Sequence, residues 1–156
     1  MDEGDDFEGI IKKVTKATKC FKGENSSGVL YINVGRVDDL MFFGFTITDD
    51  LGCLSEYNGK ASIKLVDGTI IEGMQISDTD CDSDFATAKY LPFKRDDGKS
   101  PEFEKIMEVN YEKLKTTAIE KIRIYGGEYY GDYIPDQRFK DFDGKDALIK
   151  HFQAIK

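Results

Sequence analysis

The chain has 156 residues, 33 % charged and 40 % hydrophobic, with 11 Phe, 8 Tyr and no Trp. That content excludes a disordered or collagen-like chain, and the length suits one domain with a real core. The 30 Asp and Glu outnumber 22 Lys and Arg, giving a net charge of -8. Nucleic acid is not an expected partner, because a phosphate-binding surface needs a basic excess.

Residues 1–156 are expected to form a single globular domain, with 1–6 as a mobile acidic terminus. The opening run Met1-Asp2-Glu3-Gly4-Asp5-Asp6 is acidic where a secretory leader is basic and then apolar. Phe7, Ile10, Ile11, Val14, Ala17 and Phe21 recur at helical spacing, with lysines between them and Gly23 beyond. This pattern predicts an N-terminal helix over 7–21. The β-branched Val14, Thr15 and Thr18 oppose it. Lysines 12, 13, 16, 19 and 22 leave 11–22 without an acid, and a solvated helix face is the expected role of that run.

The middle of the chain reads as strands. Val29–Val34 and Leu40–Thr48 are β-branched and aromatic, and Leu40–Ile47 is far short of the roughly 20 residues of a spanning helix. Lys60–Val66 and Thr69–Ile76 flank Asp67-Gly68, a dipeptide suited to a two-residue hairpin turn. In that register Leu65 faces Ile70, Ala61 faces Met74, and Glu72 interrupts the apolar face opposite Ile63. Ala86–Leu91 is a further strand. Ser100-Pro101-Glu102 marks a helix start, followed by an apolar face of Phe103, Ile106, Met107, Tyr111 and Leu114. Ile119–Tyr125 and Glu128–Ile134 bracket Gly126-Gly127. A two-residue turn there pairs Ile124 with Tyr129, Arg123 with Tyr130 and Lys121 with Asp132. Asp143 caps a last helix carrying Ala147, Leu148, His151, Phe152 and Ile155. The expected fold is therefore α+β: an antiparallel sheet of hairpins with N-terminal, internal and C-terminal helices packed on it.

Chemistry-bearing motifs are few. Asp78, Asp80, Asp82 and Asp84 alternate as the first carboxylates of a calcium loop do. Ser83 stands where that loop needs glycine, and Lys89 where it needs a bidentate glutamate. A solvated acidic segment is the favoured reading and a metal site the minor one. Three cysteines, Cys20, Cys53 and Cys81, are an odd number without close pairs. Neither a zinc site nor a disulfide framework is expected. Reduced thiols and a cytoplasmic location follow, with no membrane partner. His151, the one histidine, lies on an apolar stripe and is read as a tether of its helix. Gly126 to Gly131 has the outer glycines of a phosphate loop, but Asp132 and Tyr133 replace its lysine and hydroxyl residue. No cofactor is implied, and no motif is specific enough to name a family.

Tyrosine offers contact area with a polar tip, which singles out Tyr125, Tyr129, Tyr130 and Tyr133. Glu72 joins them as the acid breaking an apolar face. The leading reading is a small acidic binding protein, of inhibitor or immunity type, for a basic protein partner. A small-molecule domain with a pocket between sheet and helices is the alternative. A carboxylate-dependent enzyme is the third and least favoured.

Overall fold

The computed structural model describes residues 2–5, 10–37, 40–57, 59–81, 85–96, 106–136 and 144–155. The predicted helix starts at Ser100-Pro101-Glu102 and Asp143, and the acids Asp82 and Asp84, lie outside them.

The strands are β1 (Asp2–Asp5), β2 (Ile10–Val14), β3 (Thr18–Gly23), β4 (Val29–Val37), β5 (Leu40–Ile47), β6 (Lys60–Leu65), β7 (Ile70–Gln75), β8 (Ala86–Asp96), β9 (Ile119–Tyr125) and β10 (Tyr130–Pro135). Helix α1 (Ile106–Thr116) lies between β8 and β9, and α2 (Ala147–Ala154) follows β10. All strand pairs are antiparallel, in the order β1-β2-β4-β3-β10-β9-β6-β7-β8-β5 with β5 also paired to β4. That last pairing closes β3 to β10 into an 8-stranded barrel. Strands β6, β7 and β8 follow one another, and β9 returns beside β6, which is a Greek-key arrangement.

This corrects the α+β expectation of an open sheet carrying three helices. The internal and C-terminal helices are present, but among the described residues 10–21 form no helix. They run through β2 and into β3, which both pair with β4. Ala17, assigned to the apolar stripe of a helix, is exposed in the kink between them. The β-branched residues win because the barrel needs this segment as a strand: β3 joins β4 to β10 and completes the ring. A register shift between Lys19 and Phe21 is a bulge, and it places the consecutive residues Cys20 and Phe21 both in the core.

The barrel interior is filled by side chains alternating along each strand: Leu30, Ile32 and Val34; Phe43, Phe45 and Ile47; Ala61, Ile63 and Leu65; Ile122 and Ile124. Phe43, Phe45 and Tyr90 pack with ring centroids 5.3–5.8 Å apart. Residues from both helices, including Leu114, Leu148 and Phe152, belong to the same cluster.

Strand directions sort the connections. The β3–β4, β5–β6, β7–β8 and β9–β10 loops emerge at one end, and the two helices lie at the other. At the helix end, Asn110 Nδ2 donates to Pro92 O at 2.7 Å, and the Tyr111 hydroxyl donates to Met41 O. His151 is buried between the hydroxyls of Thr15 (Nδ1, 2.6 Å) and Thr18 (Nε2, 2.7 Å). It ties α2 to the β2–β3 kink, the tethering role read from the sequence.

Two hairpins differ in register from expectation. The β6–β7 loop has three residues, 66–68, closed by Leu65 N–H donating to Thr69 O at 2.8 Å. Gly68 takes the left-handed φ of 91° that such a loop requires. Ile63 therefore pairs with Ile71 and Ser62 with Glu72. The one-residue slip turns β7 over, so Ile71 enters the core and Glu72 faces out. The β9–β10 hairpin closes with Gly126 N–H donating to Tyr129 O at 2.8 Å, so the expected two-residue turn falls one residue later, at Gly127-Glu128, and Arg123 opposes Asp132. A two-residue slip leaves the β10 side chains on their expected faces, while Tyr129, expected opposite the buried Ile124, lies beside the turn and is exposed.

Cys53 and Cys81 form a disulfide, against the expectation of reduced thiols throughout. Spacing along the chain hid a contact made by two loops meeting at the barrel end. Cys20 keeps a buried thiol that donates to Thr18 O at 3.5 Å. No described helix is long and apolar enough to cross a membrane.

Candidate functional site

The loop end carries a groove of about 320 Å³ lined by Asn25, Ser26, Asp49, Asp50, Leu51, Tyr129, Tyr130, Gly131 and Asp132. Three loops build it, and the β5–β6 loop is the central one. Leu51 and Leu54 point into the core and hold that loop across the barrel end. The β9–β10 turn is hydrogen-bonded onto it: Glu128 and Tyr129 N–H donate to Leu51 O at 3.0 and 3.1 Å, and Gly127 N–H to Cys53 O at 2.9 Å. So close an approach needs glycine at 126, where a Cβ would sit well inside contact distance of the Leu51 carbonyl.

The polar groups of the groove differ in how they are satisfied. Asp49 Oδ2 accepts hydrogen bonds from the Ser26 hydroxyl at 3.0 Å and the Tyr133 hydroxyl at 2.7 Å. Both donors are neutral, and no described cation pairs with this carboxylate. Burial, reinforced by the bond to Asp49, pushes the Tyr133 phenol well above its ordinary value, so it stays a neutral donor. Asp50 is exposed, and its Oδ1 accepts from Gly52 N–H at 3.0 Å. Asp132 is held by Arg123 through two bonds of 2.7 and 2.9 Å. The guanidinium holds its carboxyl below the usual range.

The five residues singled out as a binding surface fall into three settings. Tyr129 and Tyr130, 66 % and 58 % exposed, line the groove. Tyr133 is buried inside the barrel, paired with Ile122 on β9. Its parity with Ile122 and Ile124 was the readable signal. Tyr125 and Glu72 sit on the outer wall. There a continuous chain of contacts runs from Glu72 to Lys60 (3.8 Å), from Lys60 to the face of Tyr125 (4.6 Å), from Tyr125 to Tyr130 (6.2 Å) and from Tyr130 to the Arg123 guanidinium (4.2 Å). One face of Tyr125 and one of Tyr130 are thus already covered by the protein's own cations. A second groove of about 400 Å³ on that wall is lined by Ser62, Lys64, Ile70, Lys121, Arg123 and Tyr125. Its cations are neutralised: Lys64 by Glu120, Lys121 by Glu24 and Arg123 by Asp132.

The acidic run has a structural role where it is described. Asp80 exchanges backbone hydrogen bonds with Leu54 at 2.9 and 3.0 Å, and its carboxylate accepts from Thr87 N–H at 3.1 Å. Asp78 is exposed. Among the described residues no three His, Cys, Asp or Glu side chains are placed to hold a metal. Sequence reasoning missed Asp49 and Asp50, whose only signal was a pair of acids before Gly52.

No protein-family model, curated protein sequence or solved structure matches this chain, so its site is defined by its own geometry.

Proposed function

We propose that the protein is a non-enzymatic binding protein whose loop-end groove receives a basic segment of a partner protein. The observation that carries this reading is the composition of the groove. Asp49 and Asp50 are met only by neutral donors among the described contacts, beside the exposed rings of Tyr129 and Tyr130. Carboxylates beside aromatic faces suit a lysine or arginine side chain, through ion pairing and cation–π contact. The net charge of -8 would speed capture of a cationic target. An inhibitor or immunity-type role is the more specific form of this proposal.

The other readings have less support. Both grooves are lined entirely by strand and loop residues, away from α1 and α2, whereas the small-molecule reading needs a pocket between helices and sheet. For an enzyme, Asp132 is held ionised by Arg123 and makes a poor proton donor. A cytoplasmic location has the disulfide against it, since such bonds persist in oxidising compartments.

The test is calorimetric titration of an oligo-lysine and an oligo-arginine peptide at low and high salt. Binding that weakens as salt rises is expected. The Asp49→Asn/Asp50→Asn variant should lose about tenfold or more in affinity, or about 1.4 kcal/mol. Absence of binding at low salt, or affinity unchanged in the variant, overturns the proposal.

A further inference from the structure

The central loop of the groove is the β5–β6 strap, which Leu51 and Leu54 pin to the core and residue 53 joins to two neighbouring loops. The Cys53 carbonyl accepts the Gly127 N–H at 2.9 Å, in the turn whose Tyr129 N–H donates to Leu51 O at 3.1 Å. The Cys53 sulfur is bonded to Cys81 in the β7–β8 loop. Next to it, Leu54 and Asp80 make the only described β-bridge outside the named strands. Gln75 Nε2 also donates to Leu54 O at 2.8 Å. The strap is otherwise irregular, and the residues that bear Asp49 and Asp50 precede this anchor directly. Cys81 is exposed and Cys53 half-buried, so the bond is reachable from solvent.

From this arrangement we infer that the groove is held competent by the Cys53–Cys81 disulfide and is switched off by a dithiol reductant. The inference rests on the binding role proposed above and adds its regulation. A reductant thiolate attacks the exposed Cys81 Sγ. The S–S bond breaks and Cys53 departs as a thiolate, which takes up a proton. The second thiol of the reductant then attacks the mixed disulfide and releases Cys81 as a thiol. Two electrons and two protons pass to the cysteines, and the reductant leaves as its own disulfide. Freed of the covalent link, the strap loosens at Cys53. The turn loses its fixed acceptor for Gly127 N–H, and with it the seat that holds Glu128 and Tyr129 against Leu51 O.

Alkylation of the unfolded, unreduced protein followed by intact-mass measurement tests the first step. One adduct, on Cys20, is expected, and three would overturn the inference. Amide hydrogen exchange then compares the oxidised protein with protein reduced under native conditions. Exchange at Gly127, Glu128 and Tyr129 should accelerate at least tenfold through a local opening that is independent of denaturant, whereas amides of β4 and β5 accelerate only as far as global stability falls. Equal acceleration throughout the chain, or none at the turn, overturns the inference. The Cys53→Ser/Cys81→Ser variant should reproduce the reduced pattern. Exchange needs no ligand, so this readout stands apart from the peptide titration. Peptide binding by the oxidised protein but not the reduced one completes the expected result, and equal binding by both overturns the switch. Failure of the oxidised protein to bind, with the exchange change present, refutes the binding role while leaving the strap's dependence on the disulfide intact.

Discussion

Lowering the pH from 7 to 4 should destabilise this protein through His151. His151 is 2 % exposed, and burial lowers its pKa from 6.5 to about 4. Its two ring nitrogens are satisfied in the neutral state. The Thr15 hydroxyl can donate to Val34 O (3.2 Å), so Nδ1–H donates to Thr15 Oγ1 while the Thr18 hydroxyl donates to Nε2. Protonation adds a second N–H where an acceptor was needed, inside a low-dielectric site. The unfolded chain takes up this proton near pH 6.5 and the folded one only near 4. The stabilising contribution is therefore complete above 6.5 and is lost progressively as pH falls towards 4. That difference, at about 1.4 kcal/mol per pH unit, amounts to about 3 kcal/mol. Urea unfolding followed by circular dichroism at intervals between pH 7 and 4 measures it, with His151→Gln as the control. The wild type should lose about 3 kcal/mol across this window and the variant much less. Asp67, lowered to about 2 by its hydrogen bond from Lys113, loses its contribution only below the ordinary aspartate value of 3.8, so the windows separate. A flat wild-type profile above pH 4, or the same slope in the variant, would refute the assignment.

Two further substitutions test the packing of the loop end and the register of β7. Gly126→Ala places a Cβ against the backbone carbonyl of Leu51, which cannot yield as a side-chain tip can. A loss of about 1–3 kcal/mol in chemical denaturation is expected, and a neutral result would mean the turn is not seated on the strap. Glu72→Gln should change stability by less than about 0.5 kcal/mol, because the carboxylate is on the outer wall with only a long ion pair to Lys60. Ile71→Ala, on the opposite face and fully buried, should cost about 2–5 kcal/mol. The reverse order would restore the register in which Glu72 points inward.

Side-chain alternation made most of the strands readable, and turn chemistry alone misplaced their partners. Asp67-Gly68 and Gly126-Gly127 both marked hairpins correctly. Neither dipeptide states where its loop closes: the closing hydrogen bonds join Leu65 to Thr69 and Gly126 to Tyr129. For β6–β7 the slip was odd and reversed the meaning of Glu72. For β9–β10 it was even, so Arg123 still stacks on Tyr130, while its ion-pair partner became directly opposite. The first segment misled for a different reason. Its apolar residues satisfy a 3.6-residue period, yet the requirement to close a barrel through β3 overrides local periodicity. The groove was half legible: the run of tyrosines on one hairpin pointed to Tyr129 and Tyr130, along with Tyr125 and Tyr133, which lie elsewhere. Asp49 and the Cys53–Cys81 bond depend on loops that meet only once eight strands have closed.

The closed barrel also divides the protein's sensitivities between its ends. His151, Thr15 and Thr18 act where α2 meets the β2–β3 kink, at the helix end. Asp49, Tyr129 and the disulfide act at the loop end. Between them lies an interior packed with Phe43, Phe45, Ile63, Ile122 and their neighbours. Sites separated in this way contribute additively to stability. An acid-induced loss at His151 should therefore add to the loss on reducing Cys53–Cys81, for which chain-entropy reasoning over 28 residues gives about 3.6 kcal/mol. Coupling between the two would require the barrel wall itself to change register. Each odd register shift would expel buried residues such as Ile71 or Ile63 into water, and that cost makes the barrel a rigid spacer between its two ends.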